Sequence, residues 1–379
     1  MQNKFKQRQQ RFISWLKREG IDAAVIEDTE GRRNSAVRYL SGLPVDALLF
    51  VFVAGHTLLL PWDKNLAEKM ACADEMIPYS DFDRLITTAL PQIVSRYVKD
   101  SQPILEISGL TPYPLYRELK KSLPKTKLMC RNDGLDAEIQ RMRMIKDEAE
   151  LDILRKAAAI TNEILSKIEN IAAGRGTLKE LDLAMFIERE ARIAGAEGTG
   201  FESLVAGPSR SFAIHAQPAY TNLPFNTPGL SLLDFGIKYK GYTTDVTMTV
   251  IYGRPSKVQA RMLSLVEEAY NLIQSLLKPG LSCLEISKAV DDFFKTHTAS
   301  MPHSLGHSIG LDAHEYPILR NLPEYNTLLK PGMVLAIEPG LYQPGEGGVR
   351  LENDFLITEE GTEVLTKARI LRFQANVSE

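Results

Sequence analysis

The chain has 379 residues, of which 44% are hydrophobic and 25% charged, with a formal net charge of −3 at pH 7. This composition is typical of a globular protein of roughly two or three domains, and the near-neutral charge gives no electrostatic reason to expect nucleic acid or an anionic membrane as partner. Three widely spaced cysteines exclude a disulfide framework and fit a reducing compartment. Because no apolar run suits a signal peptide or a membrane-spanning helix, we expect a cytoplasmic protein with no membrane partner.

The first third of the chain alternates helical and strand patterns, which predicts a small α/β domain. Its first helix presents an apolar face that includes Phe12, Trp15 and Leu16. Two apolar runs joined by a short turn predict a buried hairpin at 47–53 and 57–60. The other expected elements are a strand at 23–27, helices near 63–72 and 82–99, and a strand at 103–107.

A polar, charged segment at 131–146 separates this pattern from a different one, so we expect domains at 1–136 and 137–379. The second domain then repeats a helix–helix–hairpin plan. Capping-box patterns open its helices at Asp147/Glu150, at Thr177/Glu180 and, 105 residues after the latter, at Ser282/Glu285. This period predicts two copies of one unit, paired around a pseudo-twofold axis.

The first hairpin of the second domain contains two aspartates in a largely apolar setting, at 230–250. A turn centred between Tyr239 and Lys240 would place Asp234 opposite Asp245 across the ladder. Two like charges facing each other there are destabilising unless a cation lies between them, and a divalent metal is the simplest such cation. The alternative is a bulge that breaks the register and leaves one aspartate on the surface.

The second hairpin, at 333–358, contains a matching pair of glutamates. Glu338 and Glu352 would face each other across a turn centred on Gly345. They lie 104 and 107 residues after the two aspartates, close to the period of the repeat. Each half of the second domain therefore offers two carboxylates at the same phase.

Three of the six histidines of the chain fall in the segment 303–315. His307 is flanked by Gly306 and Gly310, which allow the backbone to approach closely and leave its imidazole room to reach inward. The spacing differs from the helical H-E-x-x-H zinc motif. The alternative for each histidine is an ordinary core or surface residue, but three among glycines favour metal binding.

Four carboxylates and one imidazole form a hard, oxygen-rich donor set. Such a set suits manganese, ferrous iron, cobalt or zinc, and its charge can hold two divalent ions. Two ions about 3.5–4 Å apart would lower the pKa of a shared water and polarise a carbonyl under attack. The reaction class predicted from the residues is metal-assisted hydrolysis of an acyl–nitrogen bond.

Several motifs then resemble one family. The segments LLDFG, TTDVT, SLGHSIGLDAHEYP, KPGMVLAIEPGLY and GGVRLENDFLIT, in this order, resemble the creatinase/prolidase/methionine aminopeptidase superfamily. NSAVRYLSGLP and RMIKDEAELDILRKAA are similar to its Xaa-Pro aminopeptidase and Xaa-Pro dipeptidase branch. The resemblance implies a creatinase-like N-terminal α/β domain followed by an α+β pita-bread catalytic domain with an internal pseudo-twofold repeat.

The resemblance also implies roles for individual residues and a cofactor of two divalent metal ions, with manganese foremost and cobalt, zinc or iron as alternatives. The implied ligands are Asp234, Asp245, His307, Glu338 and Glu352. Of these, Asp245 and Glu352 would bridge the ions, and Glu338 would also move the proton of the attacking water. Histidines implied on the substrate side are His215, His303 and His314. Arg320 is a looser match for a residue that meets a substrate carboxylate.

One further residue follows from strand spacing and two departures from the family pattern concern the substrate pocket. Arg350 lies two residues before Glu352, shares its strand face and could orient a ligand carboxylate. Met248 stands where the family often has arginine, and Ile214 stands where proline often precedes the histidine equivalent to His215. Neither departure removes a metal ligand.

We therefore expect a dinuclear metallopeptidase that removes the residue ahead of proline, as an Xaa-Pro aminopeptidase. The first alternative is an Xaa-Pro dipeptidase, or prolidase. Further alternatives are a creatinase-like hydrolase that needs no metal ligands and a non-catalytic binding module on the same fold. The expected partners are short proline-containing peptides and a second copy of the chain in a homodimer.

Overall fold

In this computed structural model, residues 2–174 and 176–374 are described, and the chain divides after Met142 into two compact units. The helices of the first part are α1 (Gln2–Glu19), α2 (Ala36–Ser41), α3 (Lys64–Met70), α4 (Ile86–Tyr97), α5 (Tyr113–Ser122) and α6 (Leu135–Met144). Its strands are β1 (Ala23–Asp28), β2 (Ala47–Phe52), β3 (Thr57–Pro61), β4 (Glu75–Met76), β5 (Ile104–Ser108) and β6 (Lys127–Arg131).

The first unit is the predicted α/β domain, built on one six-stranded sheet in the order β4-β3-β2-β1-β5-β6. The predicted hairpin is confirmed as β2 and β3, with Leu48 opposite Leu60 and both side chains fully buried. The helix expected from residue 82 begins only at Ile86. The reason is that Asp83 and Arg84 both have left-handed backbone, each with φ of 55°, which an α-helix does not accept.

The second unit carries four helices and fourteen strands among the described residues. The helices are α7 (Glu148–Ala172), α8 (Glu180–Ile193), α9 (Lys257–Leu276) and α10 (Cys283–Thr296). The strands before α9 are β7 (Gly198–Thr199), β8 (Leu204–Ala206), β9 (Gly229–Phe235), β10 (Ile237–Tyr239), β11 (Tyr242–Thr243) and β12 (Val246–Tyr252). Those after α10 are β13 (Gly306–Ser308), β14 (Glu315–Leu319), β15 (Val334–Ile337), β16 (Gly340–Gln343), β17 (Gly347–Arg350), β18 (Asn353–Ile357), β19 (Thr362–Val364) and β20 (Leu371–Phe373).

The strands of the second unit form two larger sheets and two small ones. The larger sheets have the orders β20-β12-β9-β8 and β14-β13-β15-β18-β19, and the small ones are β11-β10-β7 and β16-β17. Each helix pair, α7–α8 and α9–α10, precedes the central strands of one larger sheet, as the repeat predicts. Buried side chains of all four helices and both sheets join in one core. No helix in the described ranges is long and apolar enough to cross a membrane.

Two of the three predicted capping boxes are present, at Asp147/Glu150 and Ser282/Glu285. The one at Thr177/Glu180 is wrong, because α8 begins at Glu180 itself. The Glu180 carboxylate is fully buried and instead accepts the backbone N–H groups of Gly207 and Thr221, each at 2.7 Å. It therefore ties a loop to the helix rather than capping the helix.

The two hairpin registers have different outcomes. The first is wrong by two residues, since Lys240 and Gly241 both have positive φ and form the turn, and Asp234 consequently pairs with Thr247. The second is confirmed, because the ladders on both sides of the glutamate pair, β15–β18 and β16–β17, follow the register of a turn centred on Gly345.

Candidate metal centre

Five strand ends or strand breaks of the second unit bring the predicted ligands to one cavity of about 300 Å³. Three of the four acids lie directly beside a strand, and Asp234 lies in the regular ladder between β9 and β12. Asp234 lies near the end of β9, Asp245 directly precedes β12, His307 lies in β13, Glu338 directly follows β15 and Glu352 directly precedes β18. His215, His303 and His314 line the same cavity.

Three of these residues are close enough to share one ion. Ligand atoms of Asp245, His307 and Glu352 all lie within 4.8 Å of one another. His307 Nε2 is 3.7 Å from Asp245 Oδ2 and 3.9 Å from Glu338 Oε1. These separations suit side chains that reach a divalent cation at about 2.0–2.2 Å from different sides.

The carboxylates are costly in the absence of a cation because they are buried together. Burial, and next the charge of Glu352, raises the pKa of Asp245, while burial and the charge of Glu338 raise the pKa of Glu352. Burial also raises the pKa of Glu338 to about 7, against the opposing effect of Arg350. Among the described side chains, Asp234 Oδ1 is buried and has no hydrogen-bond partner. The donor set and this unsatisfied oxygen both fit a bound divalent cation.

A hydrogen-bonded network behind the cavity orients two of the candidate ligands. Arg350 is 1% exposed and donates to Asp234 Oδ2 at 2.5 Å, to Tyr342 Oη at 2.7 Å and to Thr247 Oγ1 at 2.9 Å. Thr247 Oγ1 in turn donates to Glu352 Oε2 at 2.7 Å. The structure thus places Arg350 on a carboxylate of the cavity, which is the contact expected from its spacing.

Thr247, Tyr342 and Asp354 belong to this network although the sequence analysis does not single them out. The buried Asp354 accepts the backbone N–H of Asp245 through Oδ2 at 3.1 Å. An acid within the apolar strand β18 is the same irregularity that identified Glu338, and could have pointed to it. Thr247 and Tyr342 end the motifs TTDVT and KPGMVLAIEPGLY, but neither residue type nor spacing marks them as hydrogen-bond partners in this network.

The two central histidines are held neutral. Burial, and next the neighbouring His314, lowers the pKa of His307 to about 4, and burial lowers that of His314. Their ring centroids lie 4.2 Å apart. His307 Nδ1 faces the carbonyl of Ser308 at 3.2 Å, which leaves Nε2 directed toward the carboxylates. A neutral imidazole with Nε2 free is the form that ligates a metal.

The remaining predicted site residues differ in their surroundings. His303 Nε2 contacts Tyr342 Oη at 3.0 Å, and burial lowers the pKa of this imidazole to about 4. His215 lines the cavity and is exposed. Arg320 is exposed and does not line the cavity, so the structure does not bring it together with the others.

The glycines flanking His307 serve close packing, but in two ways. A Cβ on Gly306 would overlap the Ala336 carbonyl of the adjacent strand, as the close backbone approach predicts. A Cβ on Gly310 would instead overlap the carboxylate of Glu315. Gly310 therefore makes room for a charged side chain and not for the His307 imidazole.

Comparisons with known proteins agree with this geometry. Residues 152–359 match metallopeptidase family M24, and residues 8–145 match the creatinase/prolidase N-terminal domain. The Xaa-Pro dipeptidase of Pyrococcus horikoshii is 31% identical over 364 residues, which cover 94% of this chain and 96% of that protein.

Solved structures give the same result. The prolidase from Pyrococcus horikoshii has a TM-score of 0.83 at 27% identity, covering 96% of this chain and 98% of its own. The X-Pro aminopeptidase from Thermotoga maritima has a TM-score of 0.83 at 26% identity, covering 97% of this chain and 99% of its own. The chain therefore belongs to metallopeptidase family M24, and it is a metallopeptidase with a creatinase-like N-terminal domain and a pita-bread catalytic domain.

Proposed function

We propose that this metallopeptidase is an Xaa-Pro dipeptidase that uses two divalent ions held by Asp234, Asp245, His307, Glu338 and Glu352. The observation that carries the proposal is the convergence of all five side chains on one cavity. The choice of a dipeptidase over the aminopeptidase favoured by the sequence analysis is supported by the full-length relative and the solved prolidase. A cavity of about 300 Å³ is also at the small end of ligand pockets, which suits two residues.

The residues of the chain have distinct parts in this proposal. When bound, the ions, with manganese as first choice and cobalt, zinc or iron as alternatives, would polarise the peptide carbonyl and acidify a water. Glu338, whose carboxyl has a pKa of about 7 before metal binds, accepts the proton of the attacking water and returns it to the leaving proline nitrogen. The neutral His314 hydrogen-bonds the scissile amide.

The other side chains hold these groups in place. Arg350 and Thr247 fix the orientation of Asp234 and Glu352 through the bonds described above. His303, hydrogen-bonded to Tyr342, forms a wall of the cavity on the proline side. A rigid surround of this kind reduces the reorganisation needed when the substrate reacts.

The test is peptide cleavage by metal-stripped protein reloaded with manganese, offered Gly-Pro and Gly-Pro-Ala in parallel. Cleavage of the dipeptide alone supports the dipeptidase. Release of glycine mainly from the tripeptide supports an Xaa-Pro aminopeptidase, an alternative that the similarity to the Thermotoga structure favours. If neither is cut with manganese, cobalt or zinc, the proposal is wrong and a binding module becomes the better account.

Two variants tie any activity to the site. Glu338→Gln and His307→Ala should abolish cleavage and leave the circular dichroism spectrum unchanged. Glu363→Gln, in an exposed ion pair with Arg155 of the same unit, is the matched control and should keep full activity. The expected homodimer is tested on the same preparation by sedimentation velocity.

A further inference from the structure

A buried charged cluster lies beside the metal centre but contributes no candidate ligand. It consists of Arg143, Lys146 and Glu315, whose side chains are 9%, 1% and 5% exposed. Arg143 Nη2 donates to Glu315 Oε1, and Lys146 Nζ lies 3.4 Å from Glu315 Oε2. Lys146 also donates to Ser308 Oγ at 2.8 Å. The cluster therefore adjoins His307 and His314 in the chain without entering their cavity.

The desolvation free energy of these buried charges opposes any stabilisation of the fold by their ion pairs. Each buried ion loses most of its hydration, and buried ion pairs are on average weak contributors to stability. Here burial lowers the pKa of Lys146, while Arg143 and Lys146 outweigh burial and keep the pKa of Glu315 below its usual value. Their better-attested use is to specify one arrangement of the surrounding chain.

The Glu315 carboxylate is hydrogen-bonded to the backbone of the loop 309–315 and packs against it. Its Oε1 accepts the backbone N–H of Asp312 at 3.2 Å, and the Gly310 N–H donates to the Asp312 carbonyl at 3.1 Å. The carboxylate packs directly on the backbone of Gly310, where a Cβ would overlap it. Arg143 makes a second bond to this loop, at 2.7 Å from Asp312 Oδ2.

This loop faces both central histidines. Ser308 directly precedes the loop: its carbonyl lies 3.2 Å from His307 Nδ1, and its hydroxyl accepts the bond from Lys146. His314 belongs to the loop, and its ring lies 4.2 Å from that of His307. Displacement of the loop would thus change which nitrogen of His307 carries the proton and where the His314 ring stands.

We propose that Arg143 and Lys146 are positioning residues: by holding the Glu315 carboxylate they fix the loop 309–315, which sets the tautomer of His307 and the place of His314. The role assigned to His314 rests on the proposed function. The effect on His307 concerns metal binding alone and needs no substrate.

The experiment compares Glu315→Gln, Lys146→Met and Arg155→Gln with the wild type. Glu315→Gln keeps the shape but removes the anion that Arg143 and Lys146 share, while the bond from Arg143 to Asp312 remains. Lys146→Met removes one cation at similar length. Arg155→Gln breaks an exposed pair in the same unit and is the matched control. Three quantities are measured: the ¹⁵N chemical shifts of the His307 ring in metal-free protein, the Kd for Mn²⁺ by calorimetry, and kcat and KM for Gly-Pro. The His307 signals are those that disappear in His307→Gln.

The wild type and Arg155→Gln should hold His307 as the single tautomer protonated at Nδ1. Glu315→Gln should give a mixture of tautomers, at least tenfold weaker Mn²⁺ binding and a lower kcat, in the range found when supports of metal ligands are removed. A folded Glu315→Gln protein with the wild-type tautomer and Mn²⁺ affinity would overturn the proposal and leave the cluster a role in stability alone.

If Glu315→Gln does not fold, Lys146→Met decides by the same readouts, since it keeps the bond between Arg143 and Glu315. A single tautomer and unchanged Mn²⁺ affinity in that variant would count against the proposal. If the wild type cleaves no Xaa-Pro peptide, the proposed function fails, while the tautomer and the affinity still decide the positioning role.

Discussion

Arg350 Nη2 lies 2.5 Å from Asp234 Oδ2, although the two residues are 116 positions apart in the chain. The same aspartate keeps its second oxygen, Oδ1, buried and without a hydrogen-bond partner in the described ranges. One oxygen of the Asp234 carboxylate therefore binds the Arg350 guanidinium, and the other remains available to the cavity. Without a metal, the guanidinium is the main compensation for this charge.

Replacing Arg350 by Met should lower the free energy of unfolding of the metal-free protein by up to about 3 kcal/mol, because the largely buried Asp234 carboxylate would lose its cationic partner. The loss should be smaller in manganese-loaded protein, where the bound cation takes over part of the compensation. Urea unfolding with and without manganese measures both values. Arg372→Met, in an exposed pair with Glu267, should cost less than about 1 kcal/mol in either state. Equal losses for Arg350→Met in both states would contradict the proposed role of Asp234 as a ligand.

Thr247 and Thr249 offer a matched pair of tests on one strand. Both are fully buried, but Thr247 Oγ1 donates to Glu352 Oε2, whereas Thr249 Oγ1 bonds, among the described residues, only to the backbone of Arg350. Thr247→Val should weaken Mn²⁺ binding by about 10–100-fold, since the ligand loses its orienting bond. Both variants should lower the free energy of unfolding by about 1–3 kcal/mol, but Thr249→Val should leave the Kd for Mn²⁺ unchanged. Calorimetric titration of both variants measures the difference, and equal Kd values would refute the orienting role of Thr247.

The two hairpins explain how far the sequence could predict the ladder. The glycines around Gly345 show where the turn is centred, so the register of Glu338 and Glu352 is predicted correctly. In the first hairpin the turn includes Lys240 at φ 48°, a conformation that lysine seldom adopts, and its position is therefore not evident from the sequence. The resulting shift of two residues preserves the faces of the strands, because side chains alternate with period two.

Ion pairs between residues that are distant in the chain cannot be predicted from such local patterns. The predicted ligands are identifiable because acids interrupt apolar strands and because their motifs resemble a family. The partners that orient them, such as Arg350 for Asp234 and Lys146 for Glu315, meet only through tertiary packing. The same holds for Glu180, whose local sequence matches a capping box that the fold does not use.

The metal-free protein should become less stable as the pH rises from about 7 to 8. Near neutral pH unfolded carboxyls, with a usual pKa near 4, are ionised, whereas burial raises the pKa of Glu338 to about 7, so that the native state retains part of a proton there. Burial also raises the pKa of Asp245 and Glu352, which acts in the same direction. The native state then binds more protons than the unfolded state, so the free energy of unfolding falls by about 1.4 kcal/mol per pH unit for each proton retained. His307, whose pKa is lowered to about 4, is neutral in both states and does not contribute.

The measurement for this pH dependence is urea unfolding at pH 7, 7.5 and 8, with and without manganese. Bound cations replace the protons, so the loaded protein should show a flat or rising dependence over the same window. Titrating groups elsewhere in the chain affect both forms equally and cancel in the comparison. Identical slopes for the two forms would contradict a carboxylate cluster that exchanges protons for metal.

The last prediction concerns Glu180, which does not form the predicted capping box but holds a segment of the site in place. Its buried carboxylate holds the N–H of Gly207 and both the N–H and the hydroxyl of Thr221, and the segment between them carries His215 to the cavity. Glu180→Gln cannot accept all of these bonds and should lower stability by about 1.5–3 kcal/mol. It should also raise the KM for Gly-Pro more than it lowers kcat, because His215 becomes less well placed. The corresponding change in the second helix pair, Glu285→Gln, affects only a capping box, in which glutamine also serves, and should leave both stability and KM nearly unchanged. Unfolding curves and steady-state kinetics of the two variants decide, and an unaltered KM in Glu180→Gln would mean that the loop keeps its place without the carboxylate.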